Sequence, residues 1–242
     1  MNNLSEAKEI LIIKNISRED SGLLGDIIKE HGIKNKVIDL SKGEKISSVE
    51  KYAAVVVLGG PDSANDETLK MKSELDLIRK VLADGIPFLG ICLGLQTMVK
   101  AAGGQVIKGK VKEIGFRDHE GQYYNVGLTE SGRKDPLFEG IDDTFNIFHL
   151  HGETVLLTEK MKLLAEGRSC RNQIIKVGTN AYGIQCHFEL TPEMLKTWVN
   201  EDPDLQALDI EQLNSDFIAI SRIYSETGRR IFKNFVRIAG FI

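Results

Sequence analysis

The feature that most constrains the fold of this chain is an apolar run that ends in Gly90-Ile91-Cys92-Leu93-Gly94. Residues 88–91 have the length and character of a buried strand, and residues 93–102 have the pattern of a helix. A strand, a sharp turn and a helix in this order present the residue at the turn as a nucleophile, with glycines keeping side chains away from it. Unpaired N–H groups at the helix start favour the thiolate form of Cys92. The alternative is a buried structural cysteine, the commonest role of an unpaired cysteine.

The first hundred residues alternate between apolar strands and amphipathic helices. The strand, turn and helix around Cys92 are called the elbow below. Three strands are predicted before it, at residues 9–13, 36–40 and 53–58, and apolar stripes predict helices around residues 23–28 and 71–82. Continuous apolar strands separated by amphipathic helices are typical of a parallel sheet that is covered on both faces.

The chain after Gly104 consists of short segments of β character with turn residues between them, which indicates antiparallel additions to the sheet. These segments are residues 106–107, 122–126, 145–150, 161–165, 173–177 and 181–187. From Thr191 the pattern is helical, and an apolar stripe predicts a last helix that packs on the body. The stripe consists of Ile231, Phe232, Phe235 and Val236.

Together these patterns predict an α/β fold with an open, mostly parallel central sheet and helices on both faces. A smaller antiparallel addition and C-terminal helices complete it. Because no linker, repeat or low-complexity stretch interrupts the chain, residues 1–242 are expected to form a single domain. Its core is expected at about residues 8–190, and a helical extension at about residues 191–242.

Composition favours a cytoplasmic protein and excludes several classes. A net charge of −4 gives no electrostatic reason to expect nucleic acid as a partner. No apolar run approaches the roughly 20 residues of a membrane span, and the polar, acidic residues 1–8 do not form a secretory signal. Three cysteines in 242 residues do not make a disulfide framework, so reduced thiols are expected.

A cysteine nucleophile needs a base, and the base needs an orienting partner. His187 is predicted to end the strand at residues 181–187, and Glu189 follows two positions later. Alternate residues of an extended segment point to the same side, so the carboxylate can accept the imidazole N–H and stabilise the imidazolium. An isolated His-x-Glu is more often a surface pair. Its occurrence together with the elbow favours the catalytic interpretation.

His149 and His151 have a same-face spacing that could bind a metal, but no third and fourth ligands occur at a recognisable spacing, so no metal is expected. The remaining histidines and cysteines are assigned to other positions: His31 to a helix end, His119 to a solvated turn, Cys170 to the surface and Cys186 to the core.

Acyl chemistry also requires donors that face the developing oxyanion. Leu93, directly after the nucleophile, supplies one backbone N–H. The glycines of Gly59-Gly60-Pro61, at the end of another predicted strand, are the obvious source of the second, because glycine lets the backbone approach a substrate closely.

Three motifs in this order resemble the class I (triad) glutamine amidotransferases, whose fold is flavodoxin-like. They are residues 58–61, residues 90–96 and residues 183–189, and the resemblance runs from Val55 to about Trp198. Residues 151–154 and 172–173 are similar to accessory motifs of free-standing members that resemble the glutaminase part of GMP synthase.

The resemblance implies a triad of Cys92, His187 and Glu189 that hydrolyses the side-chain amide of L-glutamine. It implies an oxyanion hole formed by Gly60 and Leu93, and no metal or organic cofactor. The residues implied to bind glutamine are Gly59, Gln96 and Gly152. The family usually has a proline where this chain has Phe188, which leaves the subfamily and the ammonia acceptor open.

The fate of the ammonia also stays open. Two glycine-rich segments, residues 58–63 and 104–111, resemble nucleotide-binding loops but lack the hydroxyl residue that such loops require. The acceptor is therefore expected on a separate synthase subunit, or water is the acceptor. The alternatives are a γ-glutamyl hydrolase or peptidase that uses the same triad, and a catalytically silent regulatory binding module.

Overall fold

A computed structural model describes residues 8–46 and 48–242. The prediction that the chain has no secretory signal falls mostly on residues 1–7, which lie outside the described residues. The predicted α/β fold class is confirmed: the chain forms a nine-stranded sheet that is partly parallel, a two-stranded antiparallel sheet and C-terminal helices.

The parallel part of the large sheet has the strand order β2-β1-β3-β4-β11. Its strands are β1 (Glu9–Lys14), β2 (Lys34–Asp39), β3 (Ala54–Val57), β4 (Phe88–Ile91) and β11 (Ala181–Ile184). Helix α1 (Gly22–Glu30) connects β1 to β2 and helix α2 (Leu69–Ala83) connects β3 to β4, whereas helix α3 (Leu93–Ala101) follows β4.

Alternation along β1 divides the core between the two faces of the sheet. Ile10 and Ile12 face α1 and the C-terminal helices, whereas Leu11 and Ile13 face α2 and α3. Because side chains alternate along a strand, a fully apolar strand is expected only where both faces are covered.

Strands β10, β9, β6 and β7 extend the sheet in antiparallel order beyond β11. They are β6 (Asn125–Leu128), β7 (Thr144–Asn146), β9 (Met161–Gly167) and β10 (Asn172–Val177), with the short helix α4 (Glu130–Arg133) after β6. Strands β5 (Gln105–Gly115) and β8 (His149–Leu156) pair separately as a two-stranded antiparallel sheet, here called the ribbon.

The structure corrects several predicted strand boundaries. The segment predicted at 145–150 is divided between β7 and β8, which belong to different sheets. Strand β5 is much longer than residues 106–107, because a ribbon exposed to solvent does not need the apolar alternation that marks a buried strand. The strand predicted to end at His187 ends at Ile184.

The predicted C-terminal helices are α5 (Pro192–Glu201), α6 (Pro203–Gln206) and α7 (Ile210–Ile238). The apolar stripe near the end of α7 is fully buried, as its periodicity predicts. Within residues 8–46 and 48–242, no helix is both long and apolar enough to span a membrane.

Candidate active site

Cys92 lies in the tight turn between β4 and α3, as the elbow pattern predicts. Its φ of 52° and ψ of −105° are unusual for a residue with a side chain, and its N–H donates to the carbonyl of Ile184 at 2.7 Å. A Cβ at Gly94 would lie 2.1 Å from the Val57 carbonyl oxygen, so only glycine allows α3 to pack this closely. The side chain of Cys92 lines a cavity of about 410 Å³.

His187 and Glu189 are both buried beside this turn, and Nδ1 of the imidazole lies 2.6 Å from Oε1 of the carboxylate. The pair forms although β11 ends before it. Phe188 N–H donates to Glu189 Oε2 at 3.0 Å, a bond that the family's usual proline could not make. The Tyr224 hydroxyl of α7 donates to the His187 carbonyl at 2.7 Å, so the helical extension helps to fix this segment.

The pKa of His187 is raised well above its ordinary value. Burial opposes the shift, but the charge of Glu189 and the interaction with Cys92 outweigh it. Nε2 is buried and accepts or donates no bond among the described residues. An imidazolium beside Cys92 can stabilise the thiolate that acts as the nucleophile, and it can later donate a proton as a general acid.

The residues predicted for oxyanion binding take different positions. Gly60 lines the cavity, and Leu93 begins α3, where backbone N–H groups have no partner inside the helix. Gly59 does not line the cavity: it is buried against the carboxyl group of Glu19. Contact between Gly59 and glutamine stays a prediction.

The ribbon forms the opposite wall of the cavity, to which β8 contributes Gly152 and its neighbours. Gln96 on α3 reaches this wall, and its Nε2 donates to the Glu153 carbonyl and to Gln185 Oε1, both at 3.3 Å. Ser63 donates to Glu153 Oε1 at 3.0 Å. Gln96 and Gly152, which the sequence places far apart, are thus brought to one wall.

The structure brings Glu113 to His149 and His151, a candidate third ligand that the sequence spacing does not reveal. The β5–β8 register places Glu113 opposite His151, and Glu113 Oε2 lies 3.0 Å from His151 Nε2 and 3.6 Å from His149 Nε2. One donor atom from each residue lies within 4.8 Å of the others, so the three buried side chains could hold a metal ion. Burial first, and then His151, holds the pKa of His149 well below its usual range.

The remaining histidines and cysteines lie where the sequence predicts, except for Cys170. His31 caps the end of α1 and His119 is exposed, as predicted, and Cys186 is buried in the core. Cys170 is not a surface residue: it is half-buried, and its Sγ lies 3.0 Å from Thr154 Oγ1. Burial raises the pKa of its thiol.

Glu19 and Glu113 are two buried carboxyl groups near the cavity that the sequence did not reveal. Glu19 stands in the polar run Arg18-Glu19-Asp20, which is typical of a solvated loop. Its neighbours on the cavity rim form ion pairs, between Arg18 and Asp202 and between Lys112 and Asp204. No local signal distinguishes the buried acid from the exposed one beside it.

The family profile described as glutamine amidotransferase class-I matches residues 22–202 of this chain. The chain belongs to the class I glutamine amidotransferase family. Among solved structures, a glutamine amidotransferase from Thermotoga maritima has a TM-score of 0.84 and 28% identity, over 97% of this chain and 99% of that one.

Curated members of the class I glutamine amidotransferases match over shorter portions. The glutamine amidotransferase-like protein YfeJ of Salmonella typhimurium is 31% identical over 62% of this chain and 62% of YfeJ. A glutamine-hydrolysing GMP synthase from Natranaerobius thermophilus is 28% identical over 83% of this chain and 38% of the synthase. The chain therefore spans less than two thirds of each of these relatives.

Proposed function

We propose that this protein hydrolyses the side-chain amide of L-glutamine through a γ-glutamyl thioester on Cys92, and supplies ammonia to an acceptor made by a separate synthase. The observation that carries the proposal is the hydrogen-bonded His187–Glu189 pair beside a thiol on a strained elbow. Membership of the class I family supports glutamine as the substrate.

The first half-reaction forms the thioester. The Cys92 thiolate attacks the side-chain carbonyl carbon of glutamine, and the backbone N–H groups of Gly60 and Leu93 stabilise the oxyanion. His187, held by Glu189, then gives its Nε2 proton to the amide nitrogen. The C–N bond breaks, ammonia leaves, and the γ-glutamyl group remains on Cys92.

The second half-reaction regenerates the enzyme. Neutral His187 accepts a proton from water as the water attacks the thioester, and the Cys92 thiolate leaves. Gln96 and the backbone around Gly152 hold the amino-acid end of the substrate through both steps. None of these steps requires an added cofactor.

The partner and cellular context are part of the same proposal. The glutamine-hydrolysing GMP synthases among the relatives support a synthase as the source of the ammonia acceptor. The proposed organisation is a single domain over residues 1–242, and the proposed location is the cytoplasm, where free cysteines stay reduced.

Glutamate release tests the proposal. The purified chain is assayed with L-glutamine and with γ-glutamyl dipeptides, alone and with candidate synthases. We expect a higher kcat/KM for glutamine. A clear preference for the dipeptides would instead support the γ-glutamyl hydrolase, and no release or covalent labelling under any condition would support a silent binding module.

A further inference from the structure

Glu19 is a buried carboxyl group beside the proposed nucleophile that the mechanism above does not use. It lies in the loop between β1 and α1, and β1 has β2 on one side and β3 on the other. In an open parallel sheet, the loops at such a reversal of strand order diverge and form the crevice in which ligands bind. Glu19 therefore belongs to the part of the fold where a substrate is expected.

The side chain of Glu19 lies directly over Gly59. A Cβ at Gly59 would lie 2.2 Å from Glu19 Oε2 and 3.3 Å from Cys92 Cβ, so the carboxyl group packs on Gly59 close to the nucleophile. Glu19 is 5% exposed and lines the same cavity as Cys92. Its Oε2 has no hydrogen-bond partner among the described residues.

The loop that carries Glu19 is fixed from several sides. Trp198 Nε1 donates to the Arg18 carbonyl at 3.1 Å, and the guanidinium of Arg18 pairs with Asp202. Asn15 Nδ2 donates to the Leu58 carbonyl at 3.4 Å, which ties the loop to the end of β3. These contacts hold the Glu19 carboxyl group in a defined position.

An unpaired buried carboxyl group costs free energy unless a ligand completes its hydrogen bonds. The charged groups that act on Glu19 are His187, Glu189, Arg18 and Asp202, and burial outweighs them and raises its pKa to about 7. In the proposed mechanism the oxyanion is bound by Gly60 and Leu93, the amino-acid end by the ribbon, and the leaving nitrogen receives its proton from His187. The charge of His187 acts on Glu19, so the leaving nitrogen is the part of the substrate assigned to Glu19.

We propose that Glu19 forms the leaving-group side of the site, where it accepts an N–H hydrogen bond from departing ammonia and excludes larger amines. This inference rests on the proposed function. The proton on the leaving nitrogen still comes from His187, and Glu19 gives up no proton of its own. By closing the cavity next to Cys92, the Glu19 side chain makes the site selective for glutamine over amides that carry a substituent on the leaving nitrogen.

The test compares L-glutamine with L-γ-glutamylmethylamide, which adds one methyl group to the leaving nitrogen. The variants are Glu19→Ala and Glu19→Asp, whose shorter side chains enlarge the cavity next to Cys92, and Glu19→Gln, whose side chain has the same size as that of glutamate. Asp20→Ala is the matched control, because it removes an exposed acid from the same loop.

We expect Glu19→Ala to lower kcat/KM for glutamine about tenfold and to raise the methylamide-to-glutamine ratio by about tenfold or more. Glu19→Asp, which keeps the carboxyl group if the alanine variant does not fold, should raise this ratio severalfold. Glu19→Gln and Asp20→Ala should keep the ratio within about twofold of the wild type.

An equal loss for both substrates in Glu19→Ala and Glu19→Asp would overturn the inference, because a purely structural role lowers both alike. An unchanged ratio with unchanged activity would overturn it as well. A wild-type chain that releases glutamate from neither substrate would contradict the proposed function itself, and the inference with it.

Discussion

The carboxyl edge of the parallel strands and the β5–β8 ribbon form opposite walls of one cavity, and they are built differently. On the parallel edge, Cys92, Gly60 and His187 each follow a different strand and are placed by backbone geometry. On the ribbon, the wall around Gly152 is held by side chains, mainly Glu113 and Gln96.

This difference separates two tasks. Groups that react must keep their positions to within a fraction of an ångström, which a buried sheet provides. A wall that holds the amino-acid end of a substrate contributes binding energy in the ground state and the transition state alike. Variants of the parallel edge should therefore lower kcat, and variants of the ribbon should raise KM.

The largest effect is expected for the nucleophile. Cys92→Ala should lower glutaminase activity by at least about 10⁴-fold, because no other group on the edge can form the thioester. Cys186→Ala is the matched control, since this buried cysteine belongs to the core, and its kcat should stay within about threefold of the wild type. Comparable losses in both variants would contradict the assignment.

Glu189→Gln should come next. The amide cannot stabilise the imidazolium of His187, so kcat should fall by about 10³-fold with little change in KM. The falling pKa of His187 should also move the acidic limb of the kcat profile, which steady-state assays from pH 5 to 9 would detect. A change in KM alone would contradict the catalytic role and would indicate that Glu189 contributes only to substrate binding.

Glu113→Gln sharpens the comparison from the other wall. It removes the carboxylate that faces His151, whose Nδ1 lies 3.1 Å from the Glu153 carbonyl. We expect KM for glutamine to rise about tenfold, with kcat within about threefold of the wild type. Glu166→Gln, at a more exposed acid on β9, is the control. A fall in kcat at unchanged KM would contradict the assignment of substrate binding to the ribbon and of catalysis to the parallel edge.

The last prediction concerns the stability of the fold and not catalysis. Burial raises the pKa of Glu74 on α2 to about 7, so the folded chain retains this proton at a pH where the unfolded chain has released it. This contribution to the free energy of unfolding is therefore lost as pH rises from about 4.5 to about 7.

Glu74→Gln should consequently lose less stability than the wild type between pH 5 and pH 8, by up to about 3 kcal/mol. Urea unfolding at the two pH values measures the difference. Asp76→Asn, at an exposed acid of the same helix, should behave like the wild type. Equal pH dependence in Glu74→Gln and the wild type would show that Glu74 is ionised in the folded chain.

The elbow and the His187–Glu189 pair could be predicted because their determinants are local. A glycine two residues from Cys92 and a carboxylate two residues from His187 are visible in a short window. The buried parallel strands were equally visible, since their apolar runs reflect burial on both faces.

Glu19 and Glu113 could not be predicted, because their environments are made by distant parts of the chain. Glu113 meets His151 through the register of the ribbon, and Glu19 meets Gly59 because β1 and β3 are neighbours in the sheet. Glu19 is surrounded by other polar residues and Glu113 follows Lys112, so the burial of neither acid has a local sign in the sequence.

The most direct test of the central claim is mass-spectrometric mapping of a glutamine-analogue electrophile, 6-diazo-5-oxo-L-norleucine, on the purified chain. We predict one adduct per chain, on Cys92, which excess L-glutamine slows and which is absent from Cys92→Ala. An adduct on Cys170 or Cys186, or ammonia release by a chain that carries no adduct on Cys92, would contradict the account.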